Sequence, residues 1–178
     1  LRMENSTRAA GPGSYSRITP FNGNWILLEP SSDTIYTLMP DCSLRPFIAR
    51  TPPIHTMDPE VFLIPRLISN RYYFMEGIKN VYDFRKEEGF PKTYFVYDTQ
   101  EKEFSRYIIY NGDYTSKNEF YMVMLTPINA QGESWATLNA FDLCRDYQKG
   151  KLKGKLKEVA ATLEEDDNRV VMLVKSKK

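Results

Sequence analysis

Short runs of β-branched and aromatic residues, each closed by turn-forming residues, recur along most of this chain and limit it to an all-β architecture. The first group of predicted strands lies at residues 25–29, 34–39 and 44–50. Proline, aspartate and serine fill the two intervals, residues 30–33 and 40–43, and these residue types favour tight turns. The sequence therefore predicts a three-stranded antiparallel meander near its beginning.

The same pattern returns in a second group of four predicted strands, at residues 61–68, 71–78, 93–98 and 103–110. Residues 98–102 form the predicted turn between the last two strands. Pro65 lies inside the first strand of this group and has no backbone N–H to donate, which favours an edge strand or a bulge there. The charged residues 85–89 predict a solvated insertion between the second and third strands.

A third group begins at residues 119–126, turns, and continues at residues 134–138. The groups repeat at intervals of roughly 45 to 55 residues, which suits four-stranded propeller blades. We therefore predict an all-β, propeller-like array of about three to four antiparallel blades, with a loop or entering tail at residues 1–13. The approximate blades of this domain, residues 14–178, are residues 14–60, 61–113 and 114–178. An irregular sandwich or barrel with short strands is the alternative.

The end of the chain departs from the β pattern. Five apolar residues recur at helical spacing and predict one C-terminal helix that ends near Glu165: Leu152, Leu156, Val159, Ala160 and Leu163. The almost wholly apolar residues 169–175 then predict a closing strand, buried on both faces, that inserts into a sheet.

Charge is distributed unusually along this predicted helix. Lysines crowd its start, at Lys149, Lys151, Lys153, Lys155 and Lys157, and acidic residues 164–167 crowd its end. This polarity opposes the helix macrodipole, for which each favourably placed charge contributes about 0.3–1 kcal/mol. Two interpretations remain open: the apolar side of the helix packs on a sheet and the charges are solvated, or the lysines form a surface that binds anions.

Composition excludes several classes of function. The 178 residues include 24 Lys and Arg against 23 Asp and Glu, so the chain lacks the basic excess of a protein that binds nucleic acid through bulk charge. The longest apolar runs span four or five residues, and we expect no transmembrane segment in this chain.

Residues suited to catalysis or metal binding are scarce. His55, the single histidine, lies in a proline-rich connector and is expected at the surface, and with only two cysteines zinc sites are almost excluded. We therefore predict no catalytic residues, no metal site and no cofactor. Cys42 and Cys144 could form a disulfide or remain free thiols.

Aromatic residues cluster on the predicted strands at residues 72–74 and 94–97, where core packing is their commonest role and ligand binding is the alternative. Charged residues beside apolar strands are costly unless they reach water or a partner. We therefore predict Arg66, Arg71 and Tyr73 as a ligand-binding group in a recess.

Three segments resemble the six-bladed β-propeller proteins of unknown function that are common in gut Bacteroidetes. Residues 11–15, Gly-Pro-Gly-Ser-Tyr, are similar to the G-P-G-E-Y element of that family, and residues 25–29 with 33–36 resemble its strand and hairpin. Residues 156–175 resemble its C-terminal helix and closing strand. Ser14 and Arg169 depart from the family pattern, which tends to have Glu and Pro at these positions.

The resemblance implies an exported, lipid-anchored protein of the periplasm or cell envelope, with an anchoring cysteine upstream of Leu1 and no catalytic residues to carry over. A six-bladed ring needs roughly 240 to 300 residues, so the chain looks like the C-terminal half of such a protein or a shortened member, and an incomplete ring could form an oligomer.

We accordingly predict a non-catalytic binding or scaffold module of the cell envelope. Its ligand is unknown and expected to be related to carbohydrates or peptides, and its partner is a small molecule, a glycan or a protein. The alternative is a propeller-type hydrolase or lyase that acts on sugars or lactones, with a metal at the channel mouth.

Overall fold

The first sheet of the computed structural model, which describes residues 18–129 and 133–175, is a four-stranded antiparallel meander. Its strands follow one another in chain order: β1 (Ile18–Phe21), β2 (Asn24–Leu27), β3 (Thr34–Leu38) and β4 (Leu44–Ala49). The predicted three-stranded meander is confirmed, and β1 is added to it through a two-residue turn of Asn22 and Gly23, both at positive φ. The tail at residues 1–13 and the resemblance motif at residues 11–15 lie outside the described residues.

The second sheet also has four strands, in the order β10-β9-β6-β5. They are β5 (Val61–Ile68), β6 (Tyr72–Lys79), β9 (Lys92–Asp98) and β10 (Glu103–Arg106). The predicted insertion forms a small hairpin, β7 (Tyr82–Asp83) with β8 (Glu88–Gly89), whose residues are mostly exposed. Strand β5, which contains Pro65, lies at an edge of the sheet as predicted.

The remaining strands form shorter sheets. Strands β11 (Ile109–Tyr110) and β12 (Glu119–Phe120) pair with each other. Strand β13 (Thr126–Pro127), β14 (Ser134–Leu138) and β15 (Val170–Val174) form an antiparallel three-stranded sheet. Two short 3-10 helices, Ile54–Thr56 and Met122–Met124, and two α-helices complete the described structure: α1 (Ala140–Gln148) and α2 (Gly154–Ala160).

These sheets confirm the predicted all-β class. About 44% of the described residues lie in strands, and these strands do not close into a barrel. Each four-stranded sheet joins neighbouring strands as a propeller blade does.

The end of the chain differs from the prediction in two ways. The predicted helix, expected to end near Glu165, is shorter than predicted, since α2 begins at Gly154 and ends at Ala160. Helix α1 precedes it and was not predicted, and the chain turns between the two helices at Gly150, which has a φ of +65°. Strand β15 pairs with β14 along its whole length, so the predicted insertion into a sheet is confirmed. Burial on both faces is wrong, since Val171 and Leu173 are 59% and 64% exposed.

The start of α2 is stabilised by a residue from another segment. Asp113 accepts a hydrogen bond from the Leu156 N–H at 3.2 Å through its carboxylate, and from the Lys153 N–H at 2.8 Å through its carbonyl oxygen. An anion therefore lies at the N-terminus of the helix despite the lysines around it. Two of those lysines form ion pairs, Lys151 with Asp146 and Lys155 with Glu158, which favours the interpretation of a solvated, locally compensated surface.

The chain forms two compact units. One runs to Ile64 and resumes over Glu76–Thr93, and its most buried side chains include Ile26, Ile35 and Ile64. The other comprises Pro65–Met75 and the described residues from Tyr94 onward. It has two apolar clusters, one around Leu67, Met122, Leu125 and Ala136, and one around Leu143, Leu152, Leu156 and Ala160.

Candidate functional site

A cavity of about 340 Å³ lies in the second unit, beside the first turn of α1. Its lining combines an apolar part with hydroxyl, amide, carboxylate and guanidinium groups: Tyr114, Thr137, Leu138, Asn139, Asp142, Leu143 and Arg169. Pockets for small molecules have volumes of about 300 Å³ upward and place a few polar groups on apolar walls, so this is the candidate binding site.

The junction of β14 and α1 supplies most of the lining. Asn139 follows the strand directly and caps the helix, because its side-chain oxygen accepts a hydrogen bond from the Phe141 N–H at 2.9 Å. Asp142 lies in the first helical turn, and Leu143 is 2% exposed. Local chain geometry therefore places the amide, the carboxylate and the apolar floor within one short segment.

Arg169 reaches the same site through strand pairing. Val170, the first residue of β15, pairs with Leu138, so the residue before Val170 lies beside the start of α1. Arg169 is exposed, and its side chain takes part in no ion pair or hydrogen bond within the described parts of the chain. Its guanidinium group is therefore available to an acidic ligand.

Tyr114 forms a fixed wall of the cavity. Its hydroxyl donates a hydrogen bond to Asp146 at 3.1 Å, and burial together with that carboxylate raises the pKa of Tyr114 to about 12. Asp146 is buried, and its second oxygen lies 3.4 Å from the Lys151 ammonium nitrogen. The phenol is therefore neutral at physiological pH, and a buried, charge-compensated carboxylate holds it in place.

Asp142 carries the negative charge of the site. Its carboxylate lies 2.8 Å from the Arg145 guanidinium, one turn along α1, and both side chains are about half exposed. An exposed ion pair of this kind is weak and is easily exchanged for contacts to a ligand. The cavity thus offers one cation, one anion, an amide and a hydroxyl above an apolar floor, which suits a small polar organic molecule.

Arg71, which the sequence predicted in a ligand site, lies in the turn between β5 and β6 and forms an ion pair with Asp98 of β9. Its guanidinium contacts the Asp98 carboxylate at 2.8 and 3.0 Å and lies 4.9 Å from the centre of the Tyr72 ring. This pair lowers the pKa of Asp98 and raises that of Arg71. The arginine therefore fastens the β5–β6 turn to the end of β9.

Tyr73 and Arg66 are half-buried on β6 and β5. The Tyr73 ring packs 5.9 Å from that of Tyr97, and burial raises the pKa of Tyr73. Neither residue lines the cavity at α1, nor does Arg71. Ligand binding by these three residues stays a prediction.

Sequence reasoning missed the residues that line the cavity, although one signal was present. Asn139 followed by Asp142 matches the pattern of a helix cap with an acid in the first turn. Tyr114 and Arg169 gave no local signal, because only the pairing of Tyr114 with Leu152 and of β14 with β15 brings them to this site.

Other candidates for chemistry are dispersed. His55 is exposed and lies 4.0 Å from Asp33, an ion-pair distance if the imidazole is protonated. Cys42, exposed, and Cys144, buried, are both free thiols. Over residues 18–129 and 133–175, no three His, Cys, Asp or Glu side chains are grouped to hold a metal ion. A membrane-spanning helix needs about 20 apolar residues, and neither α-helix of this part of the chain has that length, since the longer one, α1, has nine residues.

Comparison with known proteins identifies a fold but no family. No protein-family model and no curated protein matches the chain. Among solved structures, it is similar to a Bacteroides fragilis protein described as a "Putative exported protein", with a TM-score of 0.58 and 14% sequence identity. The match covers 90% of this chain and 49% of that protein, so this chain spans about half its length. Identity this low indicates a shared fold alone, and membership of the six-bladed propeller family stays a proposal.

Proposed function

We propose that the chain is a non-catalytic binding or scaffold module of the bacterial cell envelope and that it holds a small carboxylate-bearing ligand in the cavity beside α1. The observation that carries this proposal is the cavity itself, in which an unpaired arginine and a capped helix start surround an apolar floor. The exported description of the structural neighbour supports a location outside the cytoplasm. The cell-envelope location and a lipid anchor are what the resemblance to propeller proteins of gut Bacteroidetes implies.

The ligand class follows from the groups that line the cavity. Arg169 offers a planar, charged donor that suits a carboxylate. Asp142 accepts hydrogen bonds from hydroxyl or ammonium groups once its pair with Arg145 opens. A saccharide that contains a uronic acid and a short peptide with a free carboxylate both present these groups, within the sugar and peptide classes that the sequence favoured.

Titration calorimetry with galacturonate oligosaccharides and with dipeptides tests the proposal on the wild type and on Arg169→Ala. We expect one of the two ligand classes to bind and Arg169→Ala to weaken it at least tenfold, since a hydrogen bond to a charged group contributes about 1.5–3 kcal/mol. Arg106→Ala, which removes an exposed arginine from β10 outside the cavity, is the matched control and should bind like the wild type. Binding that Arg169→Ala and the control weaken equally would contradict the assignment.

The alternative function, a hydrolase or lyase for sugars or lactones, predicts turnover of the bound ligand. Nuclear magnetic resonance spectra of the same ligands, recorded over days with the protein present, distinguish the two. We expect unchanged ligand spectra; new product signals that depend on protein concentration would contradict the non-catalytic proposal.

A further inference from the structure

The side of the β1–β4 sheet that faces away from its core is apolar from edge to edge. Side chains alternate along each strand, and cross-strand pairing therefore defines rows on one face. One row consists of Pro20, Trp25, Leu38 and Leu44. The neighbouring row on the same face consists of Ile18, Leu27, Tyr36 and Pro46. We call these eight side chains the outer face.

The opposite face of this sheet already packs into the core of its unit. Ile26 and Ile35, which alternate with the outer-face residues, are 3% and 4% exposed. In contrast, Ile18, Trp25 and Leu44 of the outer face are 56%, 48% and 54% exposed. An antiparallel sheet with one face on a core ordinarily turns polar residues outward, and a contiguous apolar patch marks an interaction surface.

The two edges of this sheet resist extension by a further strand. Pro20 lies in edge strand β1 and Pro46 in edge strand β4, and neither residue can donate a backbone hydrogen bond. A partner therefore stacks across the outer face instead of lengthening the sheet, as sheets do in a β-sandwich at about 10 Å separation.

We propose that a second copy of this chain covers the outer face with its own outer face, forming a two-fold symmetric dimer. A two-fold contact requires a patch that complements itself, and two apolar sheet faces meet this condition. None of the eight side chains is charged, so the contact desolvates no ion, and the net charge of +1 opposes association only weakly.

The size of the outer face sets the expected strength. The outer face consists of eight side chains, whereas a standard interface has roughly 20–30 residues on each side, and contacts at the small end of the range are weak. We therefore expect a reversible dimer with a dissociation constant of the order of micromolar. The outer face belongs to the first unit and the α1 cavity to the second, so this inference does not depend on the proposed function.

Sedimentation velocity of the full chain at 1–200 μM, with a reductant that keeps Cys42 from forming a disulfide between copies, tests the dimer. We expect a monomer–dimer equilibrium whose dissociation constant rises at least tenfold in Trp25→Glu and in Leu44→Glu. Leu173→Glu is the matched control, because Leu173 is an apolar, 64% exposed residue of strand β15. It should associate like the wild type, and circular dichroism of every variant shows that the fold is retained.

Three results would overturn the proposal. They are a monomer at every concentration, a dimer that both outer-face variants leave unchanged, and a dimer that Leu173→Glu weakens as much as Leu44→Glu does. The substituted side chains are exposed and circular dichroism shows that each variant is folded, so misfolding does not account for any of these results.

Discussion

At the scale of single residues, an ion pair with Asp98 accounts for the position of Arg71, one of the residues that the sequence predicted to bind a ligand. Asp98 accepts hydrogen bonds from the Arg71 guanidinium through both carboxylate oxygens, and its Oδ1 also accepts one from the Gln100 N–H at 2.9 Å. The carboxylate thus organises the β9–β10 turn and holds the arginine at once. Arg71 lies beside an apolar strand, and its partner Asp98 is 27 positions further along the chain. No spacing in the sequence indicated this pair.

This pair predicts how stability depends on pH. The pKa of Asp98 is lower in the folded protein than in the unfolded chain, where it is about 3.9, because its ionised form is hydrogen-bonded to Arg71. The pair therefore contributes its full stability above about pH 4 and loses it as the pH falls toward the folded-state pKa. We expect Asp98→Asn, which keeps the turn acceptor, to lose less stability than the wild type between pH 5 and 2.5.

Urea unfolding at several pH values measures this difference. Arg71→Gln removes the other partner and should reduce the pH dependence in the same direction. A profile for Asp98→Asn that runs parallel to that of the wild type over the whole range would show that the pair contributes nothing to acid stability.

At the scale of elements, α2 depends on a cap from outside its own sequence. Gly154, its first residue, has a φ of +58°, and a Cβ atom there would lie 2.5 Å from an Asp113 carboxylate oxygen. Glycine thus meets two needs at one position: the left-handed backbone and the close approach of the capping carboxylate.

Two substitutions and their combination measure the cap. We expect Asp113→Ala to lower the free energy of unfolding by about 1 kcal/mol, the usual contribution of a capping side chain. Gly154→Ala should cost at least as much, since its new methyl group meets both the backbone strain and the carboxylate. In the Asp113→Ala background the cost of Gly154→Ala should fall, because the clash is gone; strictly additive costs, measured by urea unfolding, would contradict the contact.

Strands and helices were predictable where the residue pattern that indicates them lies within the element or directly beside it. The alternation and turn residues of β3, β5, β9 and β14 gave those strands almost to the residue. Strand β1 was missed although Asn22 and Gly23 are the turn pair that a two-residue hairpin favours. Helix α1 was missed although Asn139 caps it, because its nine residues carry an apolar face of only a few side chains.

The cavity was not predictable for a different reason. Tyr114 and Arg169 are far apart in sequence, and they meet through one bridge, from Tyr114 to Leu152, and one strand pair, β14 with β15. Neither register can be read from composition or spacing. The same limit applies to the apolar run of β15. A strand with both faces buried has the same run of apolar residues, so the sequence did not indicate that Val171 and Leu173 are exposed.

At the scale of the whole molecule, three strands belong to both compact units. The division falls within β5 after Ile64, within β6 after Met75 and within β9 after Thr93. Each of these strands continues along the chain from one unit into the other, so unfolding that melts one part of a strand frays the part that follows it. The two units should therefore unfold together in one cooperative transition.

The two tryptophans allow this to be measured, since Trp25 lies in the first unit and Trp135 in the second. Trp135→Phe leaves Trp25 as the fluorescent probe, and Trp25→Phe leaves Trp135. In each background, Leu67→Ala removes a 2% exposed side chain from the core of the second unit and should destabilise by about 2–5 kcal/mol. We expect both probes to report the same downward shift of the urea midpoint. A shift seen by Trp135 alone would mean that the units unfold independently and that the shared strands do not couple them.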